Sequence, residues 1–88
     1  MIIKRLEVLN ELGLHARVAS RVVRDARKFQ SSVIVKKEGK SYDLKNVTGV
    51  ITVGAKRGEI LTAEFDGSDE EAAAASMEAL FANKFGEK

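Results

Sequence analysis

The spacing of the apolar residues changes along the chain, and the order of these changes limits the folds that the sequence can adopt. Four segments alternate or are rich in β-branched residues, which predicts strands at 2–9, 32–37, 41–44 and 59–66. Residues 16–28 instead carry apolar side chains at steps of three and four, which predicts an amphipathic helix with a basic outer face. Its predicted buried stripe consists of Ala16, Ala19, Val22, Val23, Ala26 and Phe29.

The C-terminal part of the chain predicts a second long helix. Ser68 and Glu71 have the spacing of a capping box, and Gly86 is expected to end the helix. Its predicted buried stripe consists of Ala72, Ala73, Met77, Leu80 and Phe81. The segment 46–53 remains ambiguous, because its β-branched residues favour a strand whereas Asn46 is suited to cap a short helix.

The order of these elements indicates the fold class and the domain organisation. Strands with one apolar side need cover on one face only, and the two long helices are able to provide it. We therefore expect an α+β two-layer sandwich whose antiparallel sheet is open to solvent on its other face. A chain of 88 residues predicts a single domain over residues 1–88.

Composition narrows the classes of function. The absence of cysteine excludes disulfides, thiolate catalysis and cysteine-ligated zinc. With a single histidine, only scattered carboxylates remain as further metal ligands, so we expect no metal site. No apolar run is long enough for a membrane span, and the N-terminus lacks a signal-peptide core, so we expect a cytoplasmic protein without membrane insertion. A net charge of +2 and few aromatic residues argue against nucleic-acid binding.

The single histidine lies where the first helix is predicted to begin. The first amides of a helix have no intrahelical partner and carry partial positive charge, so His15 stands beside a natural phosphate-binding element. Arg17 is a cation at the unfavourable end of the helix dipole, which is explained if an anion binds there. These residues are consistent with a phosphoryl acceptor and its clamp, although a plain capping or surface histidine remains an open alternative.

The segment Gly13-Leu14-His15-Ala16-Arg17-Val18-Ala19 resembles the active-site motif of the HPr family of histidine-containing phosphocarriers. The chain length, the order of elements and the segment 46–54 resemble that family as well. The resemblance implies an open-faced β-sandwich with strand order 1-4-2-3, covered by two long helices and one short helix. It also implies that Enzyme I phosphorylates His15 on Nδ1, ultimately from phosphoenolpyruvate, and that EIIA domains of the sugar phosphotransferase system receive the group. The implied protein is a monomeric carrier without cofactors, not an enzyme.

Two positions depart from the family pattern. Val18 stands where the family usually has proline, and proline is favoured but not required in a first helical turn. Asn46 stands at the family's regulatory serine, so no regulatory phosphorylation is expected there. A nitrogen-type (NPr-like) carrier and a regulatory phosphohistidine protein that acts only by binding remain alternatives.

A surface beside the histidine is predicted to bind the partner proteins. Arginines along the first helix and small apolar side chains of the segment 46–53 would form an apolar patch with a basic rim, suited to an acidic partner. The predicted partner-binding residues are Ser20, Arg21, Arg24, Arg27, Lys45, Val47, Thr48 and Ile51. The competing interpretation is an ordinary solvated helix face.

Overall fold

The strands and helices of the computed structural model, which describes residues 1–87, follow the predicted order. They are β1 (Ile2–Glu7), α1 (Ala16–Ala26), β2 (Ser32–Lys37), β3 (Lys40–Asp43), α2 (Val47–Val53), β4 (Ile60–Asp66) and α3 (Glu70–Ala82). A short 3₁₀ turn follows at Lys84–Gly86. None of the helices in this part of the chain is long and apolar enough to cross a membrane.

The four strands form one antiparallel sheet in the order β1-β4-β2-β3, which confirms the implied topology. Apolar side chains pair across neighbouring strands on its covered face, for example Val33 opposite Phe65, both of which are fully buried. Ile3, Arg5 and Glu7 of β1 lie on the opposite face and are exposed. The molecule is therefore an α+β two-layer sandwich with one open sheet face, as the sequence predicted.

The two long helices cover the sheet with buried stripes that differ in part from those predicted. In α1 the buried residues are Val18, Ala19, Val22, Val23 and Ala26. In α3 they are Ala73, Ala74, Met77 and Phe81. Ala16 is exposed because it lies in the first turn, where α1 emerges at the surface, and Ala72 is exposed because Ala74 takes its place toward the sheet. Phe29 and Leu80 are half-buried at the edges of the core.

The predicted capping box at the start of α3 is wrong by one residue. Asp69, not Ser68, precedes the helix, and its carboxylate accepts hydrogen bonds from the backbone amides of Gln30 and Ser31, both at 2.9 Å. Glu70, not Glu71, bonds back to the residues before the helix, because its Oε1 accepts a hydrogen bond from the Gly67 amide at 3.2 Å. The long-range bonds of Asp69 tie the loop before β2 to α3 and move the helix start.

The end of α3 also differs from the prediction, because the helix stops at Ala82 and Gly86 lies in the turn that follows. Phe85 is buried, and its ring contacts that of Phe81 edge-on with centroids 4.7 Å apart. Burying Phe85 against the helix requires the chain to turn back over it, so the helix cannot continue to Gly86.

The ambiguous segment 46–53 is the helix α2, which confirms the capping alternative. Asn46 Oδ1 accepts hydrogen bonds from the amides of Thr48 and Gly49, at 2.9 and 3.4 Å. A Cβ atom at Gly49 would lie 2.6 Å from the Asp43 carbonyl oxygen. Glycine thus allows α2 to pack closely on the end of β3, an approach that local propensity does not reveal.

Candidate functional site

His15 is the N-cap residue of α1. Its backbone is extended (φ −85°, ψ 176°), its carbonyl oxygen accepts the first helical bond from Ala19, and its side chain makes no capping bond. The first turn of α1 contains no acidic residue. The first amides of the helix therefore keep their partial positive charge beside the imidazole ring.

The loop before α1 holds His15 in place. Gly13 has a φ of 68°, and the carbonyl oxygen of Ala55 accepts a hydrogen bond from the Leu14 amide at 3.0 Å. The buried side chain of Asn10 donates to the Gly13 carbonyl oxygen at 2.8 Å. A loop fixed in this way leaves the imidazole partly accessible, with 26% of its side-chain surface exposed.

The C-terminal turn brings a carboxylate to the same place. Glu87 Oε1 lies 2.6 Å from Nη2 of Arg17 and 4.0 Å from Nε2 of His15. Its second oxygen lies 3.8 Å from Nη2 of Arg21. One carboxylate oxygen thus stands between the two residues that the sequence singled out, and its side chain is only 14% exposed.

A cavity of about 360 Å³ opens beside these groups. It is lined by Asn10, Glu11, Leu12, His15, Arg17, Gly86 and Glu87. Asn10 Oδ1 and His15 Nε2 are buried atoms without a hydrogen-bond partner in the described part of the chain. The site therefore combines a nucleophilic ring nitrogen, a guanidinium and unpaired helix amides, which together suit a phosphoryl group.

Within residues 1–87, no group of three or more acidic or histidine side chains is placed to bind a metal ion. The groups that the site offers are the His15 imidazole, the Arg17 guanidinium, the Glu87 carboxylate and the first backbone amides of α1.

The predicted partner-binding residues are only partly grouped by the structure. A groove of about 400 Å³ between α1 and α2, called here the α1–α2 groove, is lined by Ser20, Val23, Arg24, Arg27, Lys28 and Val47. Thr48 and Ile51 are exposed on α2 but do not line this groove. The α1–α2 groove thus contains four predicted residues and adds Val23 and Lys28.

Two predicted partner residues point to other contacts. Arg21 donates to the Phe85 carbonyl oxygen at 2.5 Å and so faces the C-terminal turn. The Lys45 ammonium donates to the Phe29 carbonyl oxygen at 2.7 Å, and the Lys45 carbonyl accepts from Arg27 Nε at 2.8 Å. Both residues have structural partners that the periodicity of the helix does not reveal.

Sequence analysis did not identify Glu87 or Asn10 as parts of the site. Glu87 is 70 residues from Arg17 and belongs to no motif, so no local pattern indicates the pair. Asn10 lies in the loop after β1 and belongs to no motif either. Its complete burial is the feature that marks it, and burial of this kind is a property of the tertiary structure.

Comparison with known proteins agrees with the fold and the histidine motif. The family model described as PTS HPr component phosphorylation site matches residues 2–83. The phosphocarrier protein HPr of Cupriavidus necator is 40% identical over 80 residues, covering 91% of this chain and 90% of its own length. HPr of Xylella fastidiosa is 36% identical over 87 residues, with coverages of 99% and 98%. The crystal structure of HPr-C-His from Thermoanaerobacter tengcongensis has a TM-score of 0.94 and 35% identity, covering 100% of this chain and 99% of the other. The chain therefore belongs to the HPr family, the phosphocarrier proteins of the phosphotransferase system.

Proposed function

We propose that His15 accepts a phosphoryl group on Nδ1 from phospho-Enzyme I, with phosphoenolpyruvate as the ultimate donor, and transfers it to EIIA domains. The observation that carries this proposal is the position of His15 at the uncapped start of α1, beside the guanidinium of Arg17. The nearest alternative from the sequence, a plain capping histidine, is disfavoured because the imidazole makes no capping bond.

The transfer is a displacement at phosphorus between two nitrogen atoms. The lone pair of Nδ1 forms the new N–P bond while the N–P bond of the donor histidine breaks, and the donor nitrogen keeps that electron pair. The reaction requires the neutral tautomer that carries its proton on Nε2, because this tautomer has its lone pair on Nδ1. The later transfer to EIIA reverses the same steps.

Arg17 and the first amides of α1 stabilise the charge of the transferring group. The Arg17 side chain is 66% exposed, so its planar fork is accessible to phosphoryl oxygens. Donors held in position before the reaction lower its barrier without further reorganisation. No cofactor takes part in this mechanism, and the protein acts as a carrier without turnover of its own.

The α1–α2 groove is the docking surface in this proposal. Arg24, Arg27 and Lys28 supply positive charge around the groove. Val47, which lines the groove, and Ile51, which lies outside it on α2, are exposed apolar side chains at 40% and 45%. An acidic partner surface would be attracted by these cations and would cover the apolar side chains on contact. A small interface of this kind releases its partner quickly, as a carrier requires.

The remaining properties belong to the same proposal. We infer that residues 1–88 fold as one domain and act as a cytoplasmic monomer that does not bind nucleic acid. Sedimentation velocity at 10 and 200 μM would test the monomer, and a concentration-dependent sedimentation coefficient would contradict it. Asn46 has no hydroxyl to accept a phosphoryl group, so regulation by serine phosphorylation at this position is not part of the proposal.

The test is phosphorylation by a cognate Enzyme I with phosphoenolpyruvate and magnesium, followed by intact mass. We expect one acid-labile phosphoryl group in the wild type and none in His15→Ala. Arg17→Ala should slow the transfer about 10²–10³-fold, the cost of removing one oriented donor. Arg5→Ala, which removes an exposed arginine from the opposite sheet face, is the matched control and should keep the wild-type rate.

Folded wild-type protein that gains no mass would refute the carrier function. A phosphorylated protein that passes the group to neither a sugar-type nor a nitrogen-type EIIA would instead support the alternative of a regulatory phosphohistidine protein.

A further inference from the structure

Asn10 has no exposed surface, yet it lines the cavity beside His15. We propose that Asn10 is a positioning residue for phosphoryl transfer. Its side-chain oxygen accepts the proton of His15 Nε2, which keeps the lone pair on Nδ1 and stabilises the ring as it becomes positively charged. This inference rests on the proposed function, because it assigns Asn10 a role in the transfer through His15.

Hydrogen bonds place the Asn10 carboxamide beside the backbone of His15. The Gly13 carbonyl oxygen accepts from Nδ2 of Asn10 at 2.8 Å and from the His15 backbone amide at 3.0 Å, so the two donors meet at one oxygen. The Gly13 amide in turn donates to the Asn10 carbonyl oxygen at 3.3 Å. Asn10 and His15 are therefore connected through Gly13, and neither can move far without breaking one of these bonds.

The bond to Gly13 also determines which way the Asn10 carboxamide is turned. A carbonyl oxygen only accepts, so the NH₂ group must face it, and the opposite orientation would bring two acceptors together. Oδ1 of Asn10 therefore points away from the Gly13 carbonyl. It is buried, and it has no hydrogen-bond partner among residues 1–87. A buried acceptor without a donor is costly, so this oxygen requires an explanation.

Nε2 of His15 is likewise buried and without a partner in the part of the chain that the structure describes. A ring nitrogen that carries a proton is a donor, so its chemistry is complementary to that of Oδ1 of Asn10. Both residues line the same cavity, and bulk water reaches neither atom. Hydrogen bonds of a catalytic group are often poorly aligned in the free protein and tighten in the reacting complex. Oδ1 is therefore an acceptor available to the Nε2 proton when transfer begins.

Glu87 is the other acceptor near this nitrogen, but its position suits the role less well. Its Oε1 lies 4.0 Å from Nε2, which is beyond hydrogen-bond length, and it already accepts from Nη2 of Arg17 at 2.6 Å. Oδ1 of Asn10 has no competing donor within the described residues. The oxygen of Asn10 is therefore the freer of the two acceptors.

A hydrogen bond from Nε2 to Asn10 has two consequences for the transfer. The bond made by one ring nitrogen determines which tautomer is present, so an acceptor at Nε2 leaves the lone pair on Nδ1, where the N–P bond forms. The proton on Nε2 stays in place during the attack, so the His15 ring gains one positive charge as the donor ring loses its own. A hydrogen bond from a charged group is stronger than one from a neutral group, so Oδ1 stabilises the phosphorylated ring more than the free ring.

The tautomer of unphosphorylated His15 tests the hydrogen bond without any partner protein. At about pH 9, the ¹⁵N shifts of the two ring nitrogens, measured by NMR, report the ratio of the Nε2–H to the Nδ1–H tautomer. We expect the Nε2–H tautomer to predominate in the wild type, and Asn10→Ala to lower the ratio about 5-fold, the effect of one neutral hydrogen bond. A wild type in which the Nδ1–H tautomer predominates, or a folded Asn10→Ala with an unchanged ratio, would overturn the inference.

The variant Asn10→Asp separates the acceptor from the donor. It keeps an oxygen for the Nε2 proton but loses the NH₂ group that bonds Gly13, so a purely structural role would make it resemble Asn10→Ala. We expect its tautomer ratio to equal or exceed that of the wild type, although its urea midpoint falls. A ratio as low as that of Asn10→Ala would refute the acceptor role. The wild-type measurement does not depend on the folding of either variant.

Phosphorylation by Enzyme I measures the effect on the transfer itself. Asn10→Ala should slow phosphorylation about 10–100-fold, the effect of one hydrogen bond to a charged group. An unchanged rate in the folded variant would overturn the role in transfer. A wild type that gains no phosphoryl mass would instead reject the proposed function, while the tautomer ratios still test the hydrogen bond, so the two failures are distinguishable.

Two controls isolate Asn10 from its surroundings. Asn46→Ala is matched in residue type and in the loss of backbone hydrogen bonds, but Asn46 caps α2 and does not line the His15 cavity. Its tautomer ratio should stay within about 2-fold of the wild type, since separated sites act independently. Glu87→Gln should also keep the ratio. A fall in Glu87→Gln as large as that in Asn10→Ala would assign the acceptor to Glu87 and overturn the inference.

Discussion

Gly13 provides a quantitative test of how the loop before His15 is held. Its φ of 68° is costly for any residue with a Cβ atom, and that atom would also overlap the carbonyl oxygen of Ala55. The same oxygen accepts the Leu14 amide, so Gly13→Ala must displace the contact that places the loop beside α1. The substitution therefore combines backbone strain with a steric clash.

The two contributions have different sizes and are separable. Holding alanine in the left-handed conformation destabilises the folded state by about 1–2 kcal/mol. Replacing glycine also lowers the conformational entropy of the unfolded chain, which offsets about 0.4–1 kcal/mol of that loss. A buried clash adds about 1–3 kcal/mol. Gly39 has a φ of 78° with no atom within 4 Å of its Cβ position, so Gly39→Ala shows the strain without the clash.

Urea unfolding at pH 7 measures both variants. We expect Gly39→Ala to lower the free energy of unfolding by about 1 kcal/mol and Gly13→Ala by about 2–4 kcal/mol, with unchanged m values. Gly13→Ala should also slow phosphorylation of His15, whereas Gly39→Ala should not. Losses that agree within about 0.5 kcal/mol would refute the argument that the Ala55 carbonyl confines the loop.

Two further predictions concern the helix starts. The Ser31 hydroxyl and the Gln30 amide donate to Asp69 and lower its pKa from 3.8 to about 2. The pKa of Asp69 is lower in the folded protein than in the unfolded chain, so the ionised carboxylate stabilises the fold. This contribution to the free energy of unfolding is fully present above the ordinary pKa and is lost as the pH falls through about 2. Urea midpoints should therefore fall more steeply in acid for the wild type than for Asp69→Asn, and parallel curves would contradict the assignment. Asn46→Ala should lower the free energy of unfolding by about 1 kcal/mol, while Asn46→Ser stays within a few tenths. Equal thermal midpoints for the alanine and serine variants would show that the cap contributes nothing.

Features with a short-range cause were predictable from the sequence. The two periods of the apolar residues predicted the strands and long helices that the structure contains. His15 was placed at the start of α1 because the helical period begins directly after it. Each of these inferences uses neighbours within about one helical turn, where backbone geometry and sequence spacing are directly related.

Errors occurred where distant contacts decide the outcome. The start of α3 moved because Asp69 bonds the loop at residues 30 and 31, and its end moved because Phe85 packs on Phe81. The choice between strand and helix for residues 46–53 required the close packing of Gly49 on Asp43. The intrinsic strand or helix propensity of these residues contributes little free energy, and tertiary packing overrides it at such positions.

The sequence by itself determined the chemistry that the site offers: one imidazole and one guanidinium at the start of a helix, since these depend on residue type and helical register. The tertiary structure alone decided what surrounds them. It brought Glu87 to Arg17 across 70 residues, buried Asn10, and turned Arg21 toward the C-terminal turn instead of the α1–α2 groove. Ion pairs and burial of this kind arise from the packing of whole elements, and no spacing in the chain encodes them.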